Sequence, residues 1–251
     1  MNIDFKNKTI LVTGATSGIG RQIAKQLLEN NAQVIINYGH NDELANETMQ
    51  ELAEYNSNIL LIKADISECT EVDKMFEKIH EKFTKLDGVV NCAAYDKINS
   101  IEELTVEEFR HELNVNLVAR WQIIKNAIPL MKNASSPRIV NIASRLGTRP
   151  MEESVAYCTS EAATIMLTKC CALELAEYNI KVNTVSPSLT LTPLARQSYT
   201  EEEIAATAKK NPSKRLGTPE DTANTVLFLL SEKSDYINGE NINVNGGILL
   251  K

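Results

Sequence analysis

The sequence predicts an α/β protein built on a doubly wound parallel sheet of about seven strands. Short apolar runs of strand length alternate along the chain with longer amphipathic segments. Several of these runs are rich in Ile and Val throughout, which is typical of strands covered on both faces. Right-handed crossovers between such strands place helices on both sides of the sheet.

The predicted elements follow one another regularly. The first strand lies in KTILVTG and the first helix covers residues 18–31. The pattern continues through AQVIINY, a helix around 42–55, NILLIKAD, a helix over 71–83, and LDGVVNCAA. Helical segments that include 114–131 and 156–178 precede the later strands, which are predicted in RIVNIAS, IKVNTVSP and ENINVNGG.

Length and composition indicate one domain. A chain of 251 residues buries one sizeable core, and we predict a single dinucleotide-binding domain over residues 1–251. The segment 186–221 is rich in Pro, Ser and Thr and is predicted to form a loop with a short helix. Because it would lie beside the carboxyl edge of the sheet, it is a candidate substrate lid. Its apolar residues are compatible with an apolar ligand or with packing inside the protein.

The charge balance favours a small-molecule partner. The formal net charge is −7 and the sequence pI is about 5.2, whereas nucleic acids and anionic membranes require clustered Lys and Arg. No signal peptide or membrane-spanning run is visible, so a cytoplasmic protein is expected. The five cysteines form no CxxC pair, and His40, His80 and His111 are far apart, so neither a disulfide framework nor a metal site is predicted.

A glycine motif marks a nucleotide site. TGATSGIG lies between the first predicted strand and the first helix. Gly14 suits a tight turn, Gly18 lets the backbone approach a pyrophosphate, and Gly20 allows close helix packing. The helix N-terminus favours the anion, and the loop residues Thr16, Ser17 and Ile19 are expected to share in its binding.

Two strand ends offer further dinucleotide contacts. Asp65 ends the third strand, where its carboxylate can accept from an adenine amino group or act as a simple helix cap. Asn91 ends the fourth strand, where its side chain can brace the glycine loop or neighbouring backbone.

The tip of the second strand bears on the choice of cofactor. The sequence NYGHN has no acid to hold a ribose 2′-hydroxyl, which argues against NAD and S-adenosylmethionine. No Arg stands at Ser17 or Gly39 to bind a 2′-phosphate, so Tyr38, His40 and Asn41 would have to do so. NADP(H) is therefore favoured over NAD(H).

These motifs, taken together, resemble the short-chain dehydrogenase/reductase family over nearly the whole chain. The glycine motif is followed in order by NCAA in place of NNAG, NVNL at 114–117, Ser144 thirteen residues before Tyr157, SPS, and INVNGG. The resemblance implies a Rossmann fold and hydride exchange between a nicotinamide and a carbonyl or alcohol carbon. The overall pattern is most similar to 3-oxoacyl-[acyl-carrier-protein] reductases, and a homotetramer or homodimer is implied.

The resemblance also implies roles for particular residues. Tyr157 would exchange the proton, Ser144 would hold the substrate oxygen, and Asn116 would help to hold a water chain. The remaining implied cofactor contacts are Ile66, Ala93, Pro187, Ser188 and Thr192.

One position departs from the family pattern Tyr-x-x-x-Lys, because the final residue is Glu161. The family lysine holds the nicotinamide ribose and lowers the tyrosine pKa, which is about 10 for a free phenol. At ~5 Å and an effective dielectric constant of ~20, one unit charge contributes roughly 3 kcal/mol, or about two pK units. A carboxylate there makes Tyr157 a poor base, although Glu161 can stay protonated or accept a hydrogen bond from a ribose hydroxyl.

No compensating cation is predicted. Lys169 is more than three helical turns away, and the loop residues Arg145 and Arg149 cannot be placed from sequence. On this basis we expect Glu161→Lys to raise turnover at least about tenfold.

Three functions therefore compete. The first is an NAD(P)-dependent carbonyl reductase with weakened proton transfer. The second is a catalytically impaired dinucleotide-binding protein that acts as a sensor or oligomer partner. The third is a lyase on the same scaffold. Alternatively, Tyr157 and Glu161 form only a helix-face pair.

Overall fold

The protein forms one parallel seven-stranded sheet with helices on both faces, and this confirms the predicted Rossmann-type α/β fold. The computed structural model describes residues 3–192, 195–196 and 199–250. The strand order is β3-β2-β1-β4-β5-β6-β7. The strands are β1 Thr9–Val12, β2 Gln33–Tyr38, β3 Ile59–Lys63, β4 Gly88–Asn91, β5 Arg138–Ile142, β6 Lys181–Pro187 and β7 Asn241–Val244.

Eight α-helices of the described residues carry the crossovers and the segment after β6. They are α1 Gly18–Glu29, α2 Asp42–Glu51, α3 Cys69–Lys82, α4 Val106–Leu113, α5 Ala119–Met131, α6 Val155–Glu174, α7 Glu201–Lys210 and α8 Pro219–Leu230. None of the helices in this part of the chain is both long and apolar enough to cross a membrane.

Two apolar layers hold the sheet. Alternate strand residues such as Leu11 and Ile35 pack under α3, α5 and α6, whereas their neighbours Ile10 and Val34 pack under α1 and α8. All four residues are at most 1% exposed. This two-sided burial explains why the strands read as continuous apolar runs.

The candidate lid segment contains the expected loop and short helix. β6 ends at Pro187, α7 covers Glu201–Lys210, and α8 already begins at Pro219. Residues 193, 194, 197 and 198 lie outside the described residues.

The strand order places a site at the carboxyl edge of the sheet. From β1 the chain crosses to β2 on one side, and β4 pairs with β1 on the other. Ligands of open α/β sheets bind in the crevice at this reversal. The glycine motif and the residues after β4, β5 and β6 all meet there.

Candidate active site

The glycine loop has the backbone geometry that the motif predicts. Gly14 and Gly18 have φ values of +62° and +50°, a region that favours glycine. A Cβ at Gly14 would lie 2.9 Å from Ala93 Cα, and a Cβ at Gly20 would clash with the Gly14 carbonyl oxygen. The loop therefore packs tightly against the end of β4.

The N-terminus of α1 is open toward this loop. Ser17 occupies the N-cap, but its side chain caps no backbone N–H, and the first turn contains no acidic residue. The free N–H groups and the helix dipole favour a bound anion. These features fit a pyrophosphate.

Thr13, which sequence reasoning missed, braces the loop. Its hydroxyl accepts from the backbone N–H groups of Cys92 and Ala93 at 3.0 and 3.2 Å. The expectation that Asn91 provides this brace is wrong. The Asn91 amide instead donates to Asn141 Oδ1 at 2.8 Å, because both side chains are buried between adjacent strands.

The residues predicted to hold a 2′-phosphate have other partners. The Tyr38 hydroxyl donates to Asp42 at 2.9 Å, and Asn41 Oδ1 accepts from Leu44 N at 2.9 Å as the N-cap of α2. Lys63 Nζ lies 2.7 Å from the Asp42 carboxylate. Lys63 is thus a cation beside this end of the site that the sequence reading did not single out.

The Asp65 carboxylate also has partners within the protein. One carboxylate oxygen accepts from the backbone N–H and hydroxyl of Ser67, each at 2.9 Å. The other lies 3.1 Å from Nε2 of His40. An adenine contact by Asp65 stays a prediction, and it requires His40 to share this oxygen.

Ser144 and Tyr157 meet in a cleft of about 420 Å³ beside the glycine loop. Ser144 follows β5, and its hydroxyl accepts from Leu146 N at 3.1 Å, which fixes the side chain at the sheet edge. Tyr157 lies in the first turn of α6 and faces the same cleft. The thirteen-residue spacing of the sequence therefore becomes a spatial pair.

Asn116 lies in a π-helical turn, Asn114–Val118, between α4 and α5. Its side-chain oxygen accepts from Tyr95 N at 2.8 Å, and its amide donates to Tyr95 O at 2.7 Å. Its own carbonyl accepts from Thr164 Oγ1 at 3.0 Å. Both the side chain and the backbone carbonyl of Asn116 thus have protein partners, and the water-chain role stays a prediction.

Glu161 is fully buried and paired with Arg120 of α5. Arg120 Nη1 donates to Glu161 Oε1 at 3.2 Å and to Thr164 Oγ1 at 2.8 Å. The two charged side chains are 1% and 0% exposed. The expectation that no compensating cation lies nearby is therefore wrong. The cation comes from a neighbouring helix, one turn beyond Asn116.

A second buried carboxyl lies close to this pair. Glu112 of α4 is fully buried. Burial raises its pKa to about 7, with Asp96 and Glu161 adding to the effect, while the Lys97 backbone amide offsets only part of the shift. Burial likewise raises the pKa of Glu161 to about 7 against the opposing charge of Arg120. Near neutral pH the Glu112 and Glu161 carboxyls are therefore each only partly ionised, and their titrations are coupled.

The phenol of Tyr157 is hard to ionise. Burial raises its pKa well above the ordinary value of 10, and the charges of Glu161 and Asp96 raise it further. Arg120 and hydrogen bonding from Ser144 lower it by less. This direction is the one that the electrostatic argument expects, with burial as its largest cause, and the effect of Glu161 on proton transfer stays a prediction. The phenol of Tyr157 accordingly keeps its proton near neutral pH.

The structure brings most of the predicted site residues into one cleft. Its lining includes Gly14, Thr16, Ser17, Gly18, Ile19, Gly20, Tyr38, Ala93, Ser144, Tyr157, Pro187, Ser188 and Thr192. Seven predicted residues lie outside that lining: His40, Asn41, Asp65, Ile66, Asn91, Asn116 and Glu161. Asp96, Arg145 and Met151 also line the cleft, and sequence reasoning assigned none of them a contact there. Leu189 and Tyr199, two apolar residues of the candidate lid, line it as well. Ligand contacts by all these residues stay predictions.

The fold is of the Rossmann type, and its glycine loop shares one cleft with Ser144 and Tyr157. The family model described as "Enoyl-(Acyl carrier protein) reductase" matches residues 14–249. A 3-oxoacyl-[acyl-carrier-protein] reductase from Staphylococcus epidermidis is 33% identical over 244 residues, which cover 97% of this chain and 100% of that protein.

Two solved structures are also similar. A short-chain dehydrogenase/reductase of the glucose/ribitol dehydrogenase type from Brucella melitensis has a TM-score of 0.93 and 29% identity over 99% of each chain. A protein from Beutenbergia cavernae assigned as an NAD(P)-dependent gluconate 5-dehydrogenase, with NADP bound at low occupancy, has the same TM-score and identity over 100% of each chain. The chain belongs to the short-chain dehydrogenase/reductase family of NAD(P)-dependent oxidoreductases.

Proposed function

We propose that this protein reduces a ketone or 3-oxoacyl carbonyl to an alcohol, with NADPH as the preferred hydride donor. The observation that carries the proposal is the Ser144–Tyr157 pair in a cleft that also contains the glycine loop. A family alcohol or carbonyl reaction needs a hydroxyl to orient the substrate oxygen and a phenol to transfer its proton. Both groups lie where a nicotinamide would enter.

The glycine loop and the cleft fit the dinucleotide. Gly14 and Gly18 leave the backbone free to approach the pyrophosphate, and the uncapped N-terminus of α1 stabilises its charge. Pro187 and Ser188 would contact the nicotinamide end. When bound, the cofactor supplies the hydride.

The protonation state of Tyr157 favours reduction. With its pKa well above 10, the phenol carries its proton throughout the physiological range, so it can protonate the substrate oxygen as the hydride arrives. The same shift makes the phenol a weak acid and slows the step. Ser144 would hold the substrate oxygen in line with the phenol.

The preference for NADPH is supported by the end of β2. A Cβ at Gly39 would meet nothing within 4 Å, so there is space beside Tyr38 for a 2′-phosphate. No acidic residue occupies the two positions after Tyr38, and Lys63, which is paired with Asp42 at 2.7 Å, would have to exchange that carboxylate for the phosphate. These features support a phosphate more than two ribose hydroxyls.

A catalytically impaired dinucleotide-binding protein is the second candidate. The cleft lining within the described residues includes no lysine, and Glu161 is turned toward Arg120 rather than into the cleft. The nicotinamide ribose therefore lacks the usual cation. Such a protein would bind the cofactor and act through its oligomer.

A homodimer or homotetramer through α5 and α6 is part of the proposal. These helices expose Trp121, Met166 and Leu173, which are 48%, 57% and 81% accessible, and Val118 at the end of the π-helical turn before α5 is 38% accessible. Exposed apolar groups on adjacent helices are typical of association surfaces. Light scattering coupled to gel filtration measures the assembly, and a monomer would contradict it.

One set of measurements distinguishes the two functions. NADPH and NADH binding is measured by fluorescence titration, and NADPH oxidation is then followed with a panel of ketones and 3-oxoacyl thioesters. The reductase proposal expects turnover that Tyr157→Phe removes while cofactor binding persists. Binding without turnover on any substrate favours the second candidate, and failure to bind either dinucleotide removes both.

A further inference from the structure

Arg145 places an unpaired cation in the substrate side of the cleft. It directly follows Ser144, at the start of the 3₁₀ turn Arg145–Gly147, and its side chain lines the cleft. Within the described part of the chain, Asp96 and Arg145 are the charged members of that lining. Tyr199 lines the same cleft, and the charge of Asp96 raises its pKa while that of Arg145 lowers it, although burial is the largest cause of its raised pKa.

The guanidinium of Arg145 makes no hydrogen bond or ion pair with any described residue. Arg120 and Arg138, which are each 1% exposed, pair with carboxylates at 3.2 and 3.1 Å. Arg145 is half-buried. Desolvation lowers its pKa and the nearby charge of Arg149 adds to this effect, whereas Tyr199 and Cys158 oppose it. A partly desolvated cation without a counterion is unfavourable, and a bound anion would relieve this cost.

We propose that Arg145 binds the carboxylate of a small oxo acid or polyhydroxy acid. The inference rests on the proposed carbonyl reduction at Ser144 and Tyr157. A guanidinium matches a carboxylate through two parallel N–H···O bonds. Because Arg145 adjoins Ser144 in the chain, the carboxylate lies only a few carbon atoms from the reacting carbonyl.

Asp96, the negative charge in the cleft, sets the orientation of the substrate. Asp96 lies near enough to Tyr157 to affect its ionisation, so it repels a carboxylate from that side and accepts hydrogen bonds from substrate hydroxyls. The acid end of the substrate therefore points to Arg145 and its carbonyl to Tyr157. An uncharged acyl chain would leave Arg145 without a partner.

Matched ligands and variants test this assignment. Calorimetry on the full chain without cofactor, and turnover with NADPH, are measured for oxo acids of three to six carbons, their methyl esters and a phosphate ester. We expect each acid to bind at least about tenfold more tightly than its ester in the wild type. Arg145→Gln abolishes the difference, and Arg145→Lys retains part of it. Arg149→Gln, which changes the same charge in the same loop outside the cleft lining, keeps it.

The outcomes separate this inference from the proposed function. Equal binding of acid and ester, an unchanged ratio in Arg145→Gln, or tighter binding of the phosphate ester would overturn the carboxylate subsite. If the acids bind through Arg145 but no ligand is turned over, the subsite stands and the reductase proposal fails. If neutral ketones are reduced as fast as the acids, with no dependence on Arg145, the reductase proposal stands and the carboxylate subsite fails.

Discussion

Glu161→Lys, which restores the family residue, should destabilise this protein. Arg120 Nη1 lies 3.2 Å from Glu161 Oε1, and both side chains are at most 1% exposed. At an effective dielectric constant of ~20, the attraction at this distance is about 5 kcal/mol. The substitution removes it and places two cations together. Breaking a buried ion pair costs roughly 3–5 kcal/mol, which for a chain of this size lowers Tm by roughly 6–20 °C.

Thermal unfolding at pH 8 is the assay, because Glu161, with a pKa of about 7, is ionised there. Glu174→Lys is the matched control. It makes the same charge change at the exposed last residue of α6, where a cation suits the helix dipole. A change within about 0.5 kcal/mol is expected for this surface position.

Removing Arg120 at the same time should rescue the lysine. In Arg120→Met with Glu161→Lys the new cation loses its repulsive neighbour and has Glu112 within Coulombic range. Tm should return most of the way to the wild-type value. Turnover should exceed that of the wild type at least about tenfold, because a cation replaces the carboxylate that raises the pKa of Tyr157. Wild-type Tm and faster turnover in Glu161→Lys alone would refute the role assigned to Arg120.

Three further outcomes are expected. Because Glu112 and Glu161 have pKa values of about 7 in the folded chain against an ordinary 4.5, Tm should fall as pH rises from about 5 to 8. Glu112→Gln should flatten this slope; an unchanged slope contradicts the assignment. Tyr157→Phe should lower carbonyl reduction at least about 100-fold with NADPH affinity unchanged, as rate assays and fluorescence titration would show. Gly14→Ala should lower the free energy of unfolding by roughly 1–3 kcal/mol and weaken NADPH binding, as melting and titration experiments would show. Gly39→Ala, where a Cβ meets nothing within 4 Å, should change neither the stability nor the binding.

The fold was predictable because its signals are local. The inner strands β1, β2, β4 and β5 are short runs that are largely buried on both faces, and helices whose apolar sides cover the sheet lie between the strands along the chain. The glycine loop was predictable for the same reason, since Gly14 and Gly18 satisfy backbone requirements that few residues can meet.

The charge arrangement behind Tyr157 was not predictable from these signals. One helix face is indicated by the four-residue spacing of Glu112, Asn116 and Arg120. Polar and charged residues at this spacing were the available clue that the face contains a buried charge. Which helix that face meets depends on tertiary packing and on the π-helical turn at 114–118. A search confined to the sequence neighbours of Glu161 therefore finds Lys169 and misses Arg120.

Arg120 neutralises the charge of Glu161, the glutamate that stands in the lysine position. A lone buried carboxylate would be costly, whereas the pair formed with Arg120 keeps a cation behind the phenol while turning the acid away from the cleft. At Tyr157 the two charges oppose each other, and Glu161 has the larger effect. Burial and this residual field together hold the proton on the phenol. In the proposed function, this arrangement would retain proton donation, which carbonyl reduction needs, and would weaken proton abstraction, which alcohol oxidation needs. Arg145 is the cleft cation without a partner among the described residues. In the two proposals, recognition of an anionic substrate would therefore belong to Arg145 and support of the phenol to Arg120.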